Sequence, residues 1–208
     1  MACFDYAGCA RKQGIFEIQD LCKDGNPPFD QTCWLLLSGA IRPSDIHGDR
    51  NGSFLYGITK DFANMEGKIL KEKGKLRNRV TDLYMEKSNA VGQVRRHFKH
   101  CMNNALKPVL YYSGHGEIGT GNWCFNDGTL GIEEICDMQQ GVCQPPYIVS
   151  DTCYSGHWAN FCLRKEIKGF HCLAACPDYS FANYIQGMHI FTNLYINNKY
   201  KMKVLKIE

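Results

Sequence analysis

The chain of 208 residues predicts an α/β layer architecture built on a mostly parallel sheet. Two observations carry that expectation. Short apolar runs alternate along the chain with helix-spaced amphipathic segments. Two of those runs, Pro108-Val-Leu-Tyr-Tyr112 and Pro146-Tyr-Ile-Val149, each open on proline and end in a small polar loop. Runs this short, rich in branched and aromatic residues, read as fully buried strands. In an open parallel sheet the reactive groups lie beyond the carboxyl ends of the strands, so chemistry is expected in the loops that follow these two runs.

Taken in order, residues 33–38 (Cys-Trp-Leu-Leu-Leu-Ser) form the first predicted strand. Residues 58–74 follow as a helix, with Phe62, Met65, Ile69 and Leu70 at helical spacing, Thr59 as N-cap and Gly74 as the stop. A weaker strand is expected over 79–84. Ser88 then caps a second helix whose Val91, Val94, Phe98 and Cys101 share one face. After the strand at 108–112, Asn126-Asp-Gly128 between apolar pieces signals a hairpin at the sheet's edge. A short helix over 132–138, the strand at 146–150 and a fifth core strand over 169–175 complete the sheet's centre. Residues 184–197 read as helix despite Gly187, and residues 200–204, alternating apolar and lysine, suit an edge strand.

The chemistry lies in the two loops. Tyr111-Tyr-Ser-Gly-His-Gly116 follows one strand, and Ser150-Asp-Thr-Cys-Tyr-Ser-Gly156 follows the other. A histidine and a cysteine at the ends of neighbouring strands make a proton-transfer partner and a nucleophile, His115 and Cys153. The thiolate is the attacking species, and the imidazole assists its ionisation or protonates the leaving group. His157 is nearer to the cysteine in sequence, but a residue four positions on has no special reason to aim at the thiol. The other cysteines, Cys124, Cys143, Cys162, Cys172 and Cys176 among them, read as structural.

Ser113-Gly-His-Gly116 together with Asp151-Thr-Cys153-Tyr-Ser-Gly156 resembles the caspase-like cysteine peptidases, nearer to metacaspases and paracaspases than to true caspases. Tyr154 stands where metacaspases usually have histidine. The resemblance covers roughly residues 33 to 205. It implies a three-layer caspase-like fold, with a six-stranded mostly parallel sheet, its last strand antiparallel, and helices on both faces. Residues 1–32 would be an N-terminal extension and 33–208 one peptidase domain. The resemblance further implies an oxyanion hole from the backbone N–H groups of Gly116 and Cys153. It also implies a pocket for the P1 side chain lined by Asp151 and by Asp178, in Cys176-Pro-Asp178. Two carboxylates there select Arg or Lys and repel an aspartate. Arg42, just beyond the first strand, matches an arginine that true caspases use to hold a P1 aspartate. Paracaspases carry a nearby arginine while preferring basic P1, so Arg42 does not decide the specificity.

Composition excludes some classes. A net charge of +3 with interspersed acids and bases is no nucleic-acid footprint, and the lysines over 68–75 read as a solvated helix end. No stretch approaches the ~20 apolar residues of a membrane span. The first residues show no basic-then-apolar secretion signal. The 12 cysteines are scattered through apparent core elements, which points to a reduced, cytoplasmic protein. Cys3, Cys9, Cys22 and Cys33 fit no zinc spacing, so no metal and no cofactor is expected. The resemblance leaves room for calcium activation, for which Asp45, Asp49 and Asp61 are too dispersed to argue either way. The expected activity is a cysteine endopeptidase acting on proteins or peptides after Arg or Lys. The alternatives are an inactive or weak caspase-like interaction domain, motivated by Tyr154, and an aspartate-specific peptidase.

Overall fold

A computed structural model describes residues 15–17, 29–39, 53–82, 84–141, 144–164, 171–176, 184–185, 188–189 and 202–204. Its strands are β1 (Ile15–Glu17), β2 (Thr32–Ser38), β3 (Lys75–Val80), β4 (Lys107–Ser113), β5 (Trp123–Phe125), β6 (Gly128–Leu130), β7 (Tyr147–Asp151), β8 (His171–Ala174), β9 (Tyr184–Ile185), β10 (Met188–His189) and β11 (Met202–Val204). Its helices are α1 (Ser53–Lys71), α2 (Lys87–Asn103), α3 (Ile132–Gln139) and α4 (Gly156–Arg164). No described helix is long and apolar enough to cross a membrane.

The main sheet runs in the order β11-β1-β8-β7-β4-β2-β3. Its five strands from β8 to β3 are parallel. β1 joins β8 antiparallel, and β11 joins β1 parallel, so both outer strands oppose the rest. The described sheet therefore has seven strands where six were expected: the segment before residue 33 contributes β1, which lies between β8 and the lysine-bearing edge strand β11. From β2 the chain steps outward to β3 and then returns to the other side as β4. This reversal makes the carboxyl ends of β2 and β4 a topological switch point, the crevice where open α/β sheets carry ligands.

Alternation along the central strands feeds two cores. Trp34, Leu36, Val109, Tyr111, Tyr147 and Val149 point to one face and pack on Ile58, Phe62, Met65 and Ile69 of α1. Leu35, Leu37, Leu110, Tyr112 and Ile148 point to the other, against Ala90, Val94 and Phe98 of α2, Ile132 and Ile135 of α3, and Trp158 and Cys162 of α4. Strands covered on both faces have no polar side to present, which is why they read as unbroken apolar runs. Each fully buried large side chain among them stabilises the fold by about 1.5–3 kcal/mol.

Several boundaries differ from the sequence expectation for physical reasons. α1 starts at Ser53, so Thr59 is an exposed residue inside the helix and not its cap. Its stop uses Lys73 in the left-handed region (φ 61°), with the Gly74 N–H donating to Ile69 O at 2.8 Å. The second strand is Lys75–Val80 rather than 79–84, a largely exposed edge strand whose charges hide any apolar alternation. Ser88 does not cap α2: the N-cap position is Glu86, and the carboxylate of Asp127 accepts from the Lys87 N–H. The β5–β6 hairpin forms as expected but packs over the α2 face of the sheet, not at its edge, burying Trp123, Phe125 and Leu130 in that core. Within the predicted helix at 184–197, β9 and β10 pair antiparallel, as suits the aromatic and branched Tyr184-Ile185; its other residues lie outside those described. Lys68 is buried, unlike its exposed neighbours Lys71, Lys73 and Lys75, and that burial pulls its pKa down.

Candidate active site

β4 and β7 are neighbours, and their pairing runs in register to Ser113 opposite Asp151, the last residue of each strand. His115 and Cys153 each stand two residues beyond that final pair. The loops leave the sheet side by side: the Gly114 N–H donates to Asp151 O at 3.3 Å, and the Gly39 N–H, after β2, donates to Ser113 O at 3.0 Å. Both side chains are half-buried, shielded but not sealed.

Glycine is required where the two loops meet. A Cβ on Gly116 would lie 2.1 Å from Cys153 O and 2.4 Å from Thr152 Oγ1, so the backbone after His115 lies directly on the backbone of Cys153. The Gly116–Trp123 bridge extends the β5 ribbon to this point. Its flanking hydrogen bonds, Cys124 N–H to His115 O at 3.1 Å and Glu117 N–H to Asn122 O at 2.9 Å, are made by the neighbours of Gly116. In such a pair the N–H of Gly116 is directed away from the ribbon.

The histidine loop is braced from below. The Tyr112 hydroxyl donates to His115 O at 2.7 Å and accepts from the Cys124 N–H at 3.1 Å. Its ring stacks on Trp123 with centroids 4.7 Å apart, and Trp123 stacks on Trp158 at 4.5 Å. The Trp123 Nε1–H donates to Ser150 Oγ at 2.9 Å, which ties the stack to β7. Ser113, in the motif itself, donates from Oγ to Asp61 Oδ2 of α1 at 3.2 Å, both groups being fully buried.

The cysteine loop is braced from the side. Tyr154, immediately after Cys153, is held in the left-handed region (φ 58°), an uncommon place for a bulky residue. Gly121 (φ 68°) packs beneath its carbonyl, where a Cβ would lie 2.3 Å from the oxygen. Ser155 Oγ accepts from the N–H groups of Ala175 at 2.9 Å and Cys176 at 3.3 Å, and the Cys176 thiol donates to Thr152 O at 3.4 Å. The Cys153 loop is thus fastened to the end of β8. α4 begins at Gly156, so the partial positive charge of its amino end faces the loop that carries Cys153.

Burial, foremost, and the nearby Cys153 push the Cys176 thiol up, to about 11, against the lowering effect of Ser155. It is a protonated donor at neutral pH. Asp151 is fully buried at the end of β7. His157 lies half-buried in the first turn of α4, its N–H donating to Tyr154 O at 3.0 Å. Arg42 and Asp178, the other expected pocket residues, lie outside the described residues, as do Asp45 and Asp49. Tyr112, Trp123 and Ser155 brace the two loops, and no sequence motif marks them. The signal for Tyr112 was a tyrosine in an otherwise apolar buried strand, which needs a partner for its hydroxyl.

A second group of cysteine and histidine lies at the opposite end of the sheet. Cys33 of β2 and His97 and Cys101 of α2 are buried together, their ligand atoms all within 4.8 Å of one another. The hydrogen bond from Cys101, and more weakly His97, hold the Cys33 thiol down to about 5 although burial opposes ionisation. Cys33 stands five residues before Ser38. At ~3.3 Å per residue that separates it from the edge bearing Cys153 by about 16 Å of strand. No disulfide is present among the described residues. No family model matches this chain, and no curated protein matches it.

Proposed function

We propose that the chain is a cysteine endopeptidase with a caspase-like fold, acting in the cytoplasm on protein or peptide substrates and cleaving after Arg or Lys. The observation that carries this reading is the register of β4 with β7, which brings the loops of His115 and Cys153 off one sheet edge together and sets Gly116 against Cys153.

In this reading the Cys153 thiolate attacks the scissile carbonyl carbon, forming the C–S bond. The N–H groups of Gly116 and Cys153 hold the resulting oxyanion. His115 gives its proton to the leaving amine as the C–N bond breaks, leaving a thioester on Cys153. Water then attacks the thioester, yielding one proton to His115, and the acid product and the thiolate are released. The Tyr112 and Ser155 anchors limit the movement of both reacting groups, which supports a preorganised dyad.

Asp151 provides the negative charge for a basic P1 side chain. Because it is fully buried, a guanidinium reaches it only by displacing neighbouring side chains, and the pairing that results is little screened. Tyr154 in the left-handed region beside the nucleophile favours a second reading, a domain of this fold that binds peptide without turnover.

Labelling with a peptidyl-arginine electrophile, alongside a matched pair of fluorogenic peptides ending in Arg or Asp, tests the proposal. Active enzyme labels at Cys153, cleaves the Arg peptide far faster, and loses both properties in Cys153→Ala and His115→Ala without unfolding. Activity surviving Cys153→Ala sinks the assignment. Labelling without cleavage supports the second reading, and faster cleavage after Asp overturns the basic specificity.

A further inference from the structure

The geometry points to a buried Zn2+ site formed by Cys33, His97 and Cys101, a structural centre separate from the Cys153–His115 edge. His97 and Cys101 are four apart on α2 and so project from the same face of the helix. Cys33, near the start of β2, lies opposite them. The Cys101 sulfur is 3.7 Å from His97 Nε2 and 3.9 Å from Nδ1, and all three donor atoms fall within 4.8 Å. Tetrahedral zinc with Zn–S of ~2.3 Å and Zn–N of ~2.05 Å needs S···N edges of ~3.6 Å and S···S edges of ~3.8 Å. The Cys101–His97 edge already has that length, and the two edges to Cys33 are no longer than 4.8 Å.

The donor set also selects the ion. Two thiolates and an imidazole suit a borderline or soft d10 cation and disfavour Ca2+ and Mg2+, which need oxygen ligands. The three residues are at most 1% exposed, and Leu106 closes over the two cysteines, so no peptide reaches the ion and its role is structural. It would clamp the carboxyl-terminal turns of α2 to the first residues of β2, leaving a fourth position for a water or another small ligand. Binding consumes no electrons: each thiol still protonated releases its proton to solvent as its sulfur bonds to zinc, and the imidazole binds as the neutral base.

The test uses the full chain carrying Cys153→Ser, which removes the other cysteine–histidine pair, after reduction and removal of metals with a chelator. Zn2+ is titrated against a chromophoric chelator, Co2+ is added in parallel, and the zinc-loaded protein is read by X-ray absorption at the zinc edge. The expected result is one equivalent per chain, a thiolate-to-cobalt charge-transfer band, a zinc shell of two sulfurs with imidazole, and a raised melting temperature. Cys101→Ser and His97→Gln in this background each weaken binding at least ~100-fold, since even outer-shell changes cost 10–100-fold. The edge spectrum reads the ligands directly, whether or not those variants fold. No saturable binding, a shell with another sulfur count, or binding untouched by Cys101→Ser and Cys33→Ser overturns the site. In that case the three residues are a hydrogen-bonded core cluster only.

Discussion

Replacing Gly116 by alanine tests whether the meeting of the two loops sets the reaction geometry. The added Cβ would lie 2.1 Å from Cys153 O, 2.4 Å from Thr152 Oγ1 and 3.1 Å from Cys153 C. A carbon rests no closer to a carbonyl oxygen than about 3.3 Å, so one loop must yield by about 1 Å. The obstructing atoms are mostly backbone, and no rotamer change relieves them. The Cys153 loop is fastened through Ser155 to β8 and the His115 loop through Tyr112, so the displacement falls on the separation of nucleophile and base. A misplacement of about 1 Å costs roughly 100-fold in rate, or about 2.7 kcal/mol of transition-state stabilisation. The overpacking itself lowers stability by about 1–3 kcal/mol. Steady-state kinetics on an arginyl peptide and thermal melts, at a temperature where the variant is folded, separate the two effects. Gly67→Ala is the control: its Cβ meets nothing within 4 Å in the exposed middle of α1, so activity should be unchanged and stability up by about 0.5–1 kcal/mol. Gly116→Ala with wild-type kcat/KM would refute the reasoning.

Asp151→Asn should lower kcat/KM for arginyl peptides at least ~100-fold, by removing a charge partner in a desolvated site; unchanged kinetics would mean that the pocket is elsewhere. Tyr112→Phe keeps the ring stack but removes the donor to His115 O. It should cost ~1–3 kcal/mol of stability and lower kcat more than it changes KM, measured by melts and kinetics together. Cys176 should resist alkylation at neutral pH, where Cys153 reacts, and label only as pH approaches its folded value of about 11, as peptide mass spectrometry will show. Because that value exceeds the ordinary 9.0, the buried thiol's contribution to stability is full below pH 9.0 and is lost as pH rises to about 11, which an alkaline unfolding series of wild type and Cys176→Ala reads.

The parts of the fold that were legible are those whose residues face the core from both sides. β2, β4 and β7 carry unbroken apolar runs because the two helical layers bury both their faces, and the loops after β4 and β7 follow from where those runs stop. β3 differs because it pairs with one described neighbour and shows Lys75, Arg77 and Asn78 to solvent. The start of α2 was misread because its cap comes from Asp127, a contact across 40 residues that no local pattern announces. α4 shows no local signal, since its nine residues follow directly on the cysteine motif and give only about two and a half turns of periodicity.

The site shows the same division between what spacing reveals and what packing reveals. Cysteine and histidine pairs occur at both ends of the sheet, and both use α/β geometry to converge. At the carboxyl edge they come from two loops that directly follow apolar strands, which short-range sequence patterns detect. At the amino edge one partner is on a strand and the other two are a helical turn apart, so a search for close Cys-x-x-Cys spacing passes over them. Burial then distinguishes the two groups. Cys153 and His115 are half-buried, as the proposed peptidase reading needs. Cys33, His97 and Cys101 are sealed at 1% exposure or less, which suits the proposed structural ion and leaves no path for a substrate.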